Sequence, residues 1–537
     1  KKFNNKIKNE FLKINKKVSL ELKSVKLLLN PINLSINIET FGTKILINND
    51  LLELESIQTN IPIKSILNKK FSIDDLQVST KLIKLKDLVS LTRSFKNTPE
   101  LFILKNIIKD GALAGDIKLN FDSSGKLKQN YEIKGYLKKA KLNVLNKYSI
   151  DNLNFNFNIK DKEYVFSEIK GNFNESKLSL PEVNVKRNNN KFLVDGKLIT
   201  FKNEINQKLL NDLFKVGVKD IGIEDIEFES NNEFAFEINK KLKISDFNFK
   251  SNINLSKLIY KKKSTNIKKY LPNFNETIEF NDHKISFDYK KNQLKINGNG
   301  KINIEGKNDK IIYEIKKKDK QYFFKTTIDI NQNSLLISFL NYKKKQNLSS
   351  ILKLSGIYNE NKQITFNEIY FKENRNKFLI NNLKLNNIYK ILDIDKIELD
   401  YKNKNKIQNQ IILKKEKKKY IVTGEIFDLS MIIDEIMNSK DDEDTSSIFN
   451  NFNSTIDINI NKVHLDKTDF SKNFLGNINY KKNRINSANL KSNFPNKKKL
   501  ILSIRTNENN EKITTFFTDY PKPLIKRFKF INGFEEG

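Results

Sequence analysis

Hydrophobic and polar residues alternate one for one along much of this chain. The clearest case is residues 151–160, D-N-L-N-F-N-F-N-I-K, in which four apolar residues are separated by asparagines. Because successive side chains of a strand point to opposite faces, this stretch predicts a strand with one apolar face and one amide face. The same alternation recurs from about residue 112 onwards. We therefore predict a repetitive antiparallel β-groove region over 112–537, and expect it to continue past the last residue.

The first 111 residues show a different pattern, in which helical spacing interrupts short strands. Apolar residues at helical intervals predict helices at 3–14, Ile63–Leu67, Leu85–Phe95 and 99–108. Pro62 and Pro99 stand where a proline is tolerated, at the start of a helix. We predict an α+β region over 1–111. The longest helix of the remainder is expected near 203–216, and another at 428–437.

Three architectures would bury the apolar faces of so many strands. A membrane-type barrel needs aromatic girdles and outward apolar faces, which the dense Lys and Asn of the other face contradict. A sandwich hides its faces within roughly 100 residues, as in immunoglobulin domains. The predicted helices are too few to cover the strands. The remaining fold is mainly β: an elongated, curled antiparallel sheet that forms an open apolar groove, with a few short helices in the N-terminal region and as insertions.

An open apolar groove is costly unless it is a binding surface, so its lining residues are the candidate site. The alternative, an ordinary core, stays open for the aromatic pairs such as Phe155 and Phe157. The predicted groove-lining residues are Ile117, Leu119, Phe121, Leu153, Phe155, Phe157, Ile159, Phe234, Phe236, Ile238, Ile285, Phe287, Tyr289, Ile456, Ile458 and Ile460.

The formal net charge is +34, from 98 Lys and Arg against 64 Asp and Glu. Only a few of these cations are Arg, and the Lys, Asn and Ile bias is typical of an AT-rich genome. A sequence-specific nucleic-acid binder usually has a localised, Arg-containing basic patch, whereas these lysines are spread along the chain. The charge therefore favours attraction to an anionic membrane surface and no specific nucleic acid.

The sequence contains no recognised catalytic or metal-binding motif. There is no Cys, and the two histidines, His283 and His464, are far apart without zinc-ligand spacing. His464 is predicted to be a solvated strand residue, and the acidic run 441–444 a solvated loop. No phosphate-binding loop or nucleophile elbow occurs. We predict a protein that is not an enzyme and needs no cofactor or metal.

Three stretches resemble a known family. V-S-L-E-L-K-S-V-K-L-L-L-N-P-I-N-L-S-I-N near the start, with the following L-L-E-L-E-S-I-Q-T-N-I-P-I-K-S-I-L, is similar to the N-terminal region of AsmA-like proteins. V-T-G-E-I-F-D-L-S-M-I-I-D-E-I and D-Y-P-K-P-L-I-K-R-F-K-F-I-N-G-F-E-E-G resemble the large YhdP-like branch. The resemblance implies a Gram-negative envelope protein in the periplasm, anchored in the inner membrane by a helix missing from a fragment cut at both ends.

Three function classes follow. The AsmA-like resemblance implies a bridge-like lipid-transfer protein, which moves phospholipid acyl chains along the groove between inner and outer membranes. Related TamB-like proteins point instead to a scaffold or assembly factor for outer-membrane components, acting through strand addition. The third class is a basic protein that binds nucleic acid or charged surfaces, with steep salt dependence. We favour the first class, with phospholipid and an anionic membrane surface as partners.

Overall fold

The computed structural model describes residues 18–47, 50–67, 73–95, 99–122, 126, 128–144, 148–174, 176–189, 191–202, 222–239, 241, 243–261, 265–360, 362–431, 453–481, 484–507 and 511–528. Strands account for 72% of the structure and helices for 7%, so the predicted mainly β class is confirmed. Thirty-one strands belong to one open sheet, and two more form a separate hairpin. The open antiparallel sheet with few short helices is thus also confirmed.

The chain divides into two compact units. Unit 1 comprises residues 1–221, 227–253 and 288–291, and unit 2 comprises residues 222–226, 254–287 and 292–537. Three strands have residues in both units: β14 (Ile223–Asn239), β15 (Ile244–Lys261) and β16 (Thr277–Lys290).

Unit 1 holds thirteen further strands and three helices among its described residues. The strands are β1 (Val18–Glu21), β2 (Ser24–Asn30), β3 (Ser35–Phe41), β4 (Lys44–Ile47), β5 (Asp50–Pro62), β6 (Asp75–Thr80), β7 (Ile83–Lys84), β8 (Ile108–Asn120), β9 (Glu132–Val144), β10 (Tyr148–Lys160), β11 (Glu163–Phe173), β12 (Ser176–Asn188) and β13 (Lys191–Thr200). The helices are α1 (Ile63–Leu67), α2 (Leu85–Phe95) and α3 (Pro99–Ile107). Antiparallel pairing runs β2–β3–β5–β6–β8 and then through consecutive strands to β14.

Unit 2 holds the rest of the described elements. The strands are β17 (Gln293–Asn303), β18 (Asn308–Lys318), β19 (Gln321–Asp329), β20 (Leu335–Ile337), β21 (Tyr342–Lys344), β22 (Ser350–Asn359), β23 (Gln363–Glu373), β24 (Asn376–Asn386), β25 (Ile391–Asp393), β26 (Lys396–Lys402), β27 (Gln408–Glu416), β28 (Lys419–Asp428), β29 (Ser454–His464), β30 (Phe470–Lys481), β31 (Arg484–Asn493), β32 (Lys499–Thr506) and β33 (Lys512–Thr518). The helices are α4 (Thr265–Tyr270), α5 (Lys522–Phe528) and the 3₁₀ turn Ser338–Leu340.

Pairing in unit 2 is antiparallel between neighbours along the chain, with one parallel pair. β19 pairs with β22, so the β20–β21 hairpin is an insertion between them. β28 and β29 run parallel, with Val422 beside Ile458. A parallel pair needs a connection that returns along the strands, and most of that connection, 432–452, lies outside the described residues.

Helix prediction succeeded where apolar residues recur at one-turn spacing. α1 and α2 have the predicted bounds, and α3 ends at Ile107, one residue early, because Ile108 begins β8. In α2, Leu85 and Val89 are one turn apart and both are buried, which explains why this short segment is helical. The helices expected at 3–14 and 203–216 lie outside the described residues.

The alternation of Val18, Leu20 and Leu22 predicts a single strand over 18–29, and this prediction was wrong, because β1 and β2 are separate and pair with different partners, β4 and β3. Most of the helix expected over 428–437 lies outside the described residues: Asp428 still belongs to β28, Ser430 and Met431 are helical, and the Asp428 carboxylate accepts the N–H of Ser430 at 3.0 Å, as an acidic cap does.

Candidate functional site: the apolar faces of the two units

A continuous row of apolar side chains crosses fourteen strands of unit 2. Each residue lies opposite the next in the printed strand registers, so all point to the same side of the sheet. We call this set the central row: Gly298, Tyr313, Thr326, Leu354, Ile369, Ile380, Ile397, Leu413, Val422, Ile458, Gly476, Leu490, Leu502 and Phe516. It contains no charged residue, and Thr326 is its one polar member.

The central row is shielded only in part. From Tyr313 to Leu502 every member is neither buried nor fully exposed, and Phe516 on the last described strand is 44% exposed. Side chains in a closed core lose nearly all their contact with water. Partial exposure along a whole row is therefore typical of apolar residues that cover one another sideways while one side stays open.

Neighbouring rows widen this apolar face. On one side of the central row lie Gly300, Ile311, Ile328, Leu352, Phe371, Phe378, Leu399, Ile411, Gly424, Ile460 and Phe474. On the other lie Ile296, Ile315, Phe324, Gly356, Phe366 and Leu383. Alternate residues of a strand are roughly 6.7 Å apart, so the three rows cover a strip about 13 Å wide. None of these residues carries a charge.

Glycines on the apolar faces make room for large side chains of adjacent strands. A Cβ on Gly356 would lie 2.7 Å from the Phe324 ring, and one on Gly298 would lie 2.2 Å from the Tyr313 ring. In unit 1, Gly135 and Gly196 make room in the same way for Phe157 and Phe234. Glycine positions covered by neighbouring rings are one way in which sheets bend. The alternation of apolar and polar residues does not reveal these pairs of glycine and ring.

The β20–β21 hairpin covers part of the apolar face of unit 2. Leu340 and Tyr342 pack with Phe371, Phe378 and Tyr401. The cluster also includes Ile411, Phe427, Ile460 and Val463. Phe371, Phe378, Ile411 and Ile460, which flank the central row, are consequently buried. The hairpin therefore covers the flanking row that contains Phe371 and Ile411, and it leaves open the central row and the other flanking row, which runs from Ile296 to Leu383.

Buried polar groups fix this hairpin to the end of the sheet. The Lys344 ammonium, with 0% exposure, donates to the carbonyls of Asn331, Asn333 and Lys345 at 3.2, 2.8 and 2.9 Å. Burial lowers the pKa of Lys344, although nearby carboxylates oppose the shift. The Asp309 carboxylate accepts three backbone N–H groups of the preceding loop. Such a satisfied network rigidifies the element that it holds.

Further bonds link the hairpin to the strands beneath it. The Tyr342 hydroxyl donates to the Glu373 carboxylate, and the Tyr401 hydroxyl donates to the Leu340 carbonyl at 2.9 Å. Burial, and then the Glu373 carboxylate, raise the pKa of Tyr342 well above its usual range. These two hydrogen bonds and the packing of Leu340 and Tyr342 attach the hairpin to this part of the face.

A polar rim bounds the apolar strip on the opposite side. Asp393 accepts from the Lys415 ammonium at 2.5 Å and from the Tyr420 hydroxyl at 3.1 Å. Burial and the neighbouring carboxylate raise the pKa of Tyr420 to about 12. The rim can hydrogen-bond polar groups beside the apolar strip.

Unit 1 carries a comparable row across eleven strands. Its members, in register from β2 to β14, are Val25, Thr40, Ile57, Val78, Ile117, Ile133, Ile159, Tyr164, Val185, Val194 and Phe236. Apart from Thr40 and Val194, these residues are partly exposed. The row includes the predicted lining residues Ile117, Ile159 and Phe236. Three other predicted lining residues, Leu119, Phe234 and Ile238, lie two positions along the same strands and therefore on the same face.

Helix α2 covers one end of the unit 1 face. Leu85 and Val89 of α2 pack with Ile108, Leu137 and Ala140, and the predicted lining residues Leu153 and Phe155 pack against this cluster. Phe157 is 8% exposed and its ring lies over Gly135. Phe157 is therefore covered, as in the core alternative, whereas Leu153 and Phe155 remain partly exposed, so their place in a groove stays a prediction.

Two asparagines of β10 form a β-bulge and bond to β9, which the alternation pattern did not predict. Asn152 has a φ of 50°, and the register with β9 shifts beside it, which marks a β-bulge. The Asn154 side chain accepts the N–H of Lys139, a second positive-φ residue on β9, at 3.0 Å. Asn152 and Asn156 are exposed as predicted, whereas Asn154 and Asn158 are partly buried.

The other predicted lining residues also lie on these faces. In unit 1, Phe236, Phe247 and Tyr289 form a chain of ring contacts at 6.4 and 6.0 Å. In unit 2, Ile456, Ile458 and Ile460 lie side by side on β29, with Ile458 in the central row. Ile285 and Phe287 lie two and four residues after buried His283 on β16, and so on the same face as His283. Phe121 comes directly after the end of β8.

Both histidines are buried, so the prediction of a solvated His464 was wrong. His464 is 9% exposed, because Phe470 stacks on its ring at 5.6 Å. His283 lies over Gly300, and its ring nitrogens contact the Tyr313 hydroxyl at 3.3 Å and the Lys301 carbonyl at 3.0 Å. Burial lowers the pKa of both imidazoles.

Within the described ranges, no group of three acidic or histidine side chains is placed to hold a metal ion. In that same part of the chain, no helix is both long enough and apolar enough to cross a bilayer.

Comparison with known proteins gives no family for this chain. Neither a protein-family model nor a curated protein matches it. The resemblance to AsmA-like proteins therefore stays a prediction.

Proposed function

We propose that this protein binds phospholipid acyl chains on the apolar faces of its sheet and carries them between the inner and outer membranes of a Gram-negative envelope. The observation that supports the proposal is the central row of unit 2. It crosses fourteen strands without a charged side chain, and its members remain partly exposed. Transfer of an acyl chain requires no covalent step, because the apolar face only replaces the apolar surroundings that the acyl chain leaves in the membrane.

The dimensions of the central row suit a path better than a pocket. Fourteen neighbouring strands spaced about 4.8 Å apart give a path of roughly 60 Å along the sheet. The hydrocarbon part of one leaflet is about 15 Å thick, half of the bilayer core. Several acyl chains would thus fit one after another. Each covered Å² of apolar surface contributes about 25 cal/mol, so neighbouring positions hold an acyl chain with similar free energy and permit diffusion.

The polar rim gives headgroups a place outside the apolar strip. Asp393, Lys415 and Tyr420 stand beside it, where a phosphate or amine could remain hydrated. These three groups already bind one another, so they offer little selectivity among headgroups. We propose acyl-chain recognition with loose headgroup preference.

The second candidate, a TamB-like scaffold that adds strands to its sheet, is favoured by the last described strand. Ile513, Phe516 and Phe517 of β33 are 55%, 44% and 50% exposed. An exposed apolar strand is a template for β-augmentation by another chain. Under this reading the central row would contact protein and not lipid.

Site-specific photocrosslinking separates these functions. A benzophenone amino acid at Ile380 or Leu413 samples the central row, and the same group at Ile412 samples the opposite face of β27, where the native side chain is 41% exposed. We expect phospholipid adducts, detected by mass spectrometry after expression in a Gram-negative host, at the two row positions and none at Ile412. Protein adducts at the row positions would favour the scaffold. Equal lipid labelling at all three positions would contradict a specific path.

A further inference from the structure

Six large aliphatic side chains project into solvent at one end of unit 1. They lie at the end of β2, in the turn between β2 and β3 and on helix α1, and we call them the apolar tip. Their exposed fractions are Ile32 90%, Leu67 76%, Leu29 65%, Leu34 65%, Leu28 59% and Ile66 46%. Single exposed aliphatics are normal on soluble proteins, but a contiguous group marks a contact surface.

The backbone of the tip holds these side chains outward. The Asn30 side-chain oxygen accepts the N–H groups of Ile32 and Asn33, both at 3.1 Å. The N–H of Ile63 donates to the Leu34 carbonyl at 2.8 Å, which joins α1 to the turn. These bonds satisfy the local polar groups. The exposed aliphatic surface is consequently part of an ordered turn.

The lysines beside the tip are Lys23 and Lys26 of β2 and Lys64 of α1, and neither 27–38 nor 57–67 contains a carboxylate. The nearest acidic residues in these strands lie farther from the turn, where Glu39 is opposite Lys26 and Asp75 is opposite Asn60. An aliphatic surface with lysines beside it is complementary to the boundary between anionic headgroups and acyl chains.

We propose that the apolar tip inserts into the interfacial layer of an anionic lipid bilayer. The aliphatic side chains would enter the acyl boundary while the lysines contact lipid phosphates. The proposal rests on the tip alone and holds even if the sheet carries no lipid. It also deepens the proposed function, because Leu27 beside the tip is in register with Ile38, Thr59 and Leu76. Acyl chains leaving the bilayer at the tip would meet the apolar face directly.

The chain has no Trp, so one introduced indole reports on one place. Ile32→Trp puts the reporter on the tip. Ile388→Trp is a matched control, because Ile388 is 61% exposed and its N–H is likewise bound by an Asn side chain two residues earlier, Asn386. The full chain is mixed with vesicles of phosphatidylcholine and phosphatidylglycerol, with and without brominated acyl chains. Circular dichroism and melting confirm that both variants fold.

We expect a blue shift and bromine quenching for Ile32→Trp and neither for Ile388→Trp. In the Trp-free chain, Ile32→Glu should lower vesicle partition at least about tenfold, since burying one aliphatic side chain contributes about that factor. Ile388→Glu should leave partition unchanged.

Three results would overturn the proposal. Vesicle binding without a spectral shift at residue 32 would assign membrane contact to lysines elsewhere. A blue shift that grows with protein concentration in the absence of vesicles, with a dimer in sedimentation, would assign the tip to a second copy of this chain. No vesicle binding would exclude membrane contact outright. Lipid adducts at Leu413 in the photocrosslinking experiment are a separate readout, so tip and conduit can fail independently.

Discussion

Three consecutive residues of β27 provide the sharpest test of an open apolar face. Ile411 is 7% exposed and belongs to the cluster beneath the β20–β21 hairpin. Ile412, on the opposite face, is 41% exposed. Leu413 returns to the apolar face in the central row and is partly exposed. Each of the three is changed in turn to Asp. The same charge is then placed at a buried position (Ile411), at an exposed position on the opposite face (Ile412) and at a partly exposed position on the apolar face (Leu413).

The three positions should differ in their effect on the free energy of unfolding. Truncating a buried aliphatic residue costs about 2–5 kcal/mol, and a carboxylate without a partner adds to that cost. Ile411→Asp should thus lose at least about 4 kcal/mol, or about 10 °C in Tm. Leu413→Asp loses only part of an aliphatic contact and keeps access to water, so about 1–2 kcal/mol is expected. Ile412→Asp faces Glu398 and should cost less than about 1 kcal/mol.

Thermal and urea unfolding give the stability of each variant, and lipid extraction followed by mass spectrometry gives bound phospholipid. We expect Leu413→Asp to remain folded and lose lipid, and Ile412→Asp to keep both fold and lipid. If Leu413→Asp unfolds as readily as Ile411→Asp, the central row is a closed core. If it folds and retains its lipid, the row is not the path.

Three further outcomes follow from buried polar groups. Lys344→Met should leave three buried carbonyls without their donor and lower stability by about 3 kcal/mol, with faster hydrogen exchange in the 335–344 hairpin than in β33. Gly300→Ala should cost about 1–3 kcal/mol in urea unfolding, because the new Cβ would lie 2.3 Å from the His283 ring; unchanged stability would refute that packing. Since burial lowers the pKa of His283, the unfolded state takes up its proton first as pH falls. The contribution of neutral His283 to the free energy of unfolding should therefore be complete above about pH 6.5 and decrease below it. Urea unfolding between neutral pH and pH 5 should show a smaller decrease for His283→Gln than for the unchanged chain.

Local pattern determined much of this protein. Strand alternation predicted the mainly β class and the open antiparallel sheet, because the side-chain period of a strand depends only on the backbone. One-turn apolar spacing located α1 and α2 to the residue, with Pro62 as a further signal for α1, since these signals act within one or two helical turns. Alternation also placed Ile456, Ile458 and Ile460 together on one face of β29.

Tertiary structure decided which parts of the apolar faces are covered. Ile411 and Leu413 have the same pattern in sequence, yet Leu340 and Tyr342, some 70 residues earlier, bury only the first. In unit 1, Leu85 and Val89 of α2 form a buried cluster with Leu137 of β9, and Phe155, about 70 residues later in the chain, packs against that cluster. Coverage depends on contacts between segments distant in the chain, and alternation carries no information about them. The same reason applies to His464. The strand pattern predicted that it is solvated, but it is buried, with the ring of Phe470 against it.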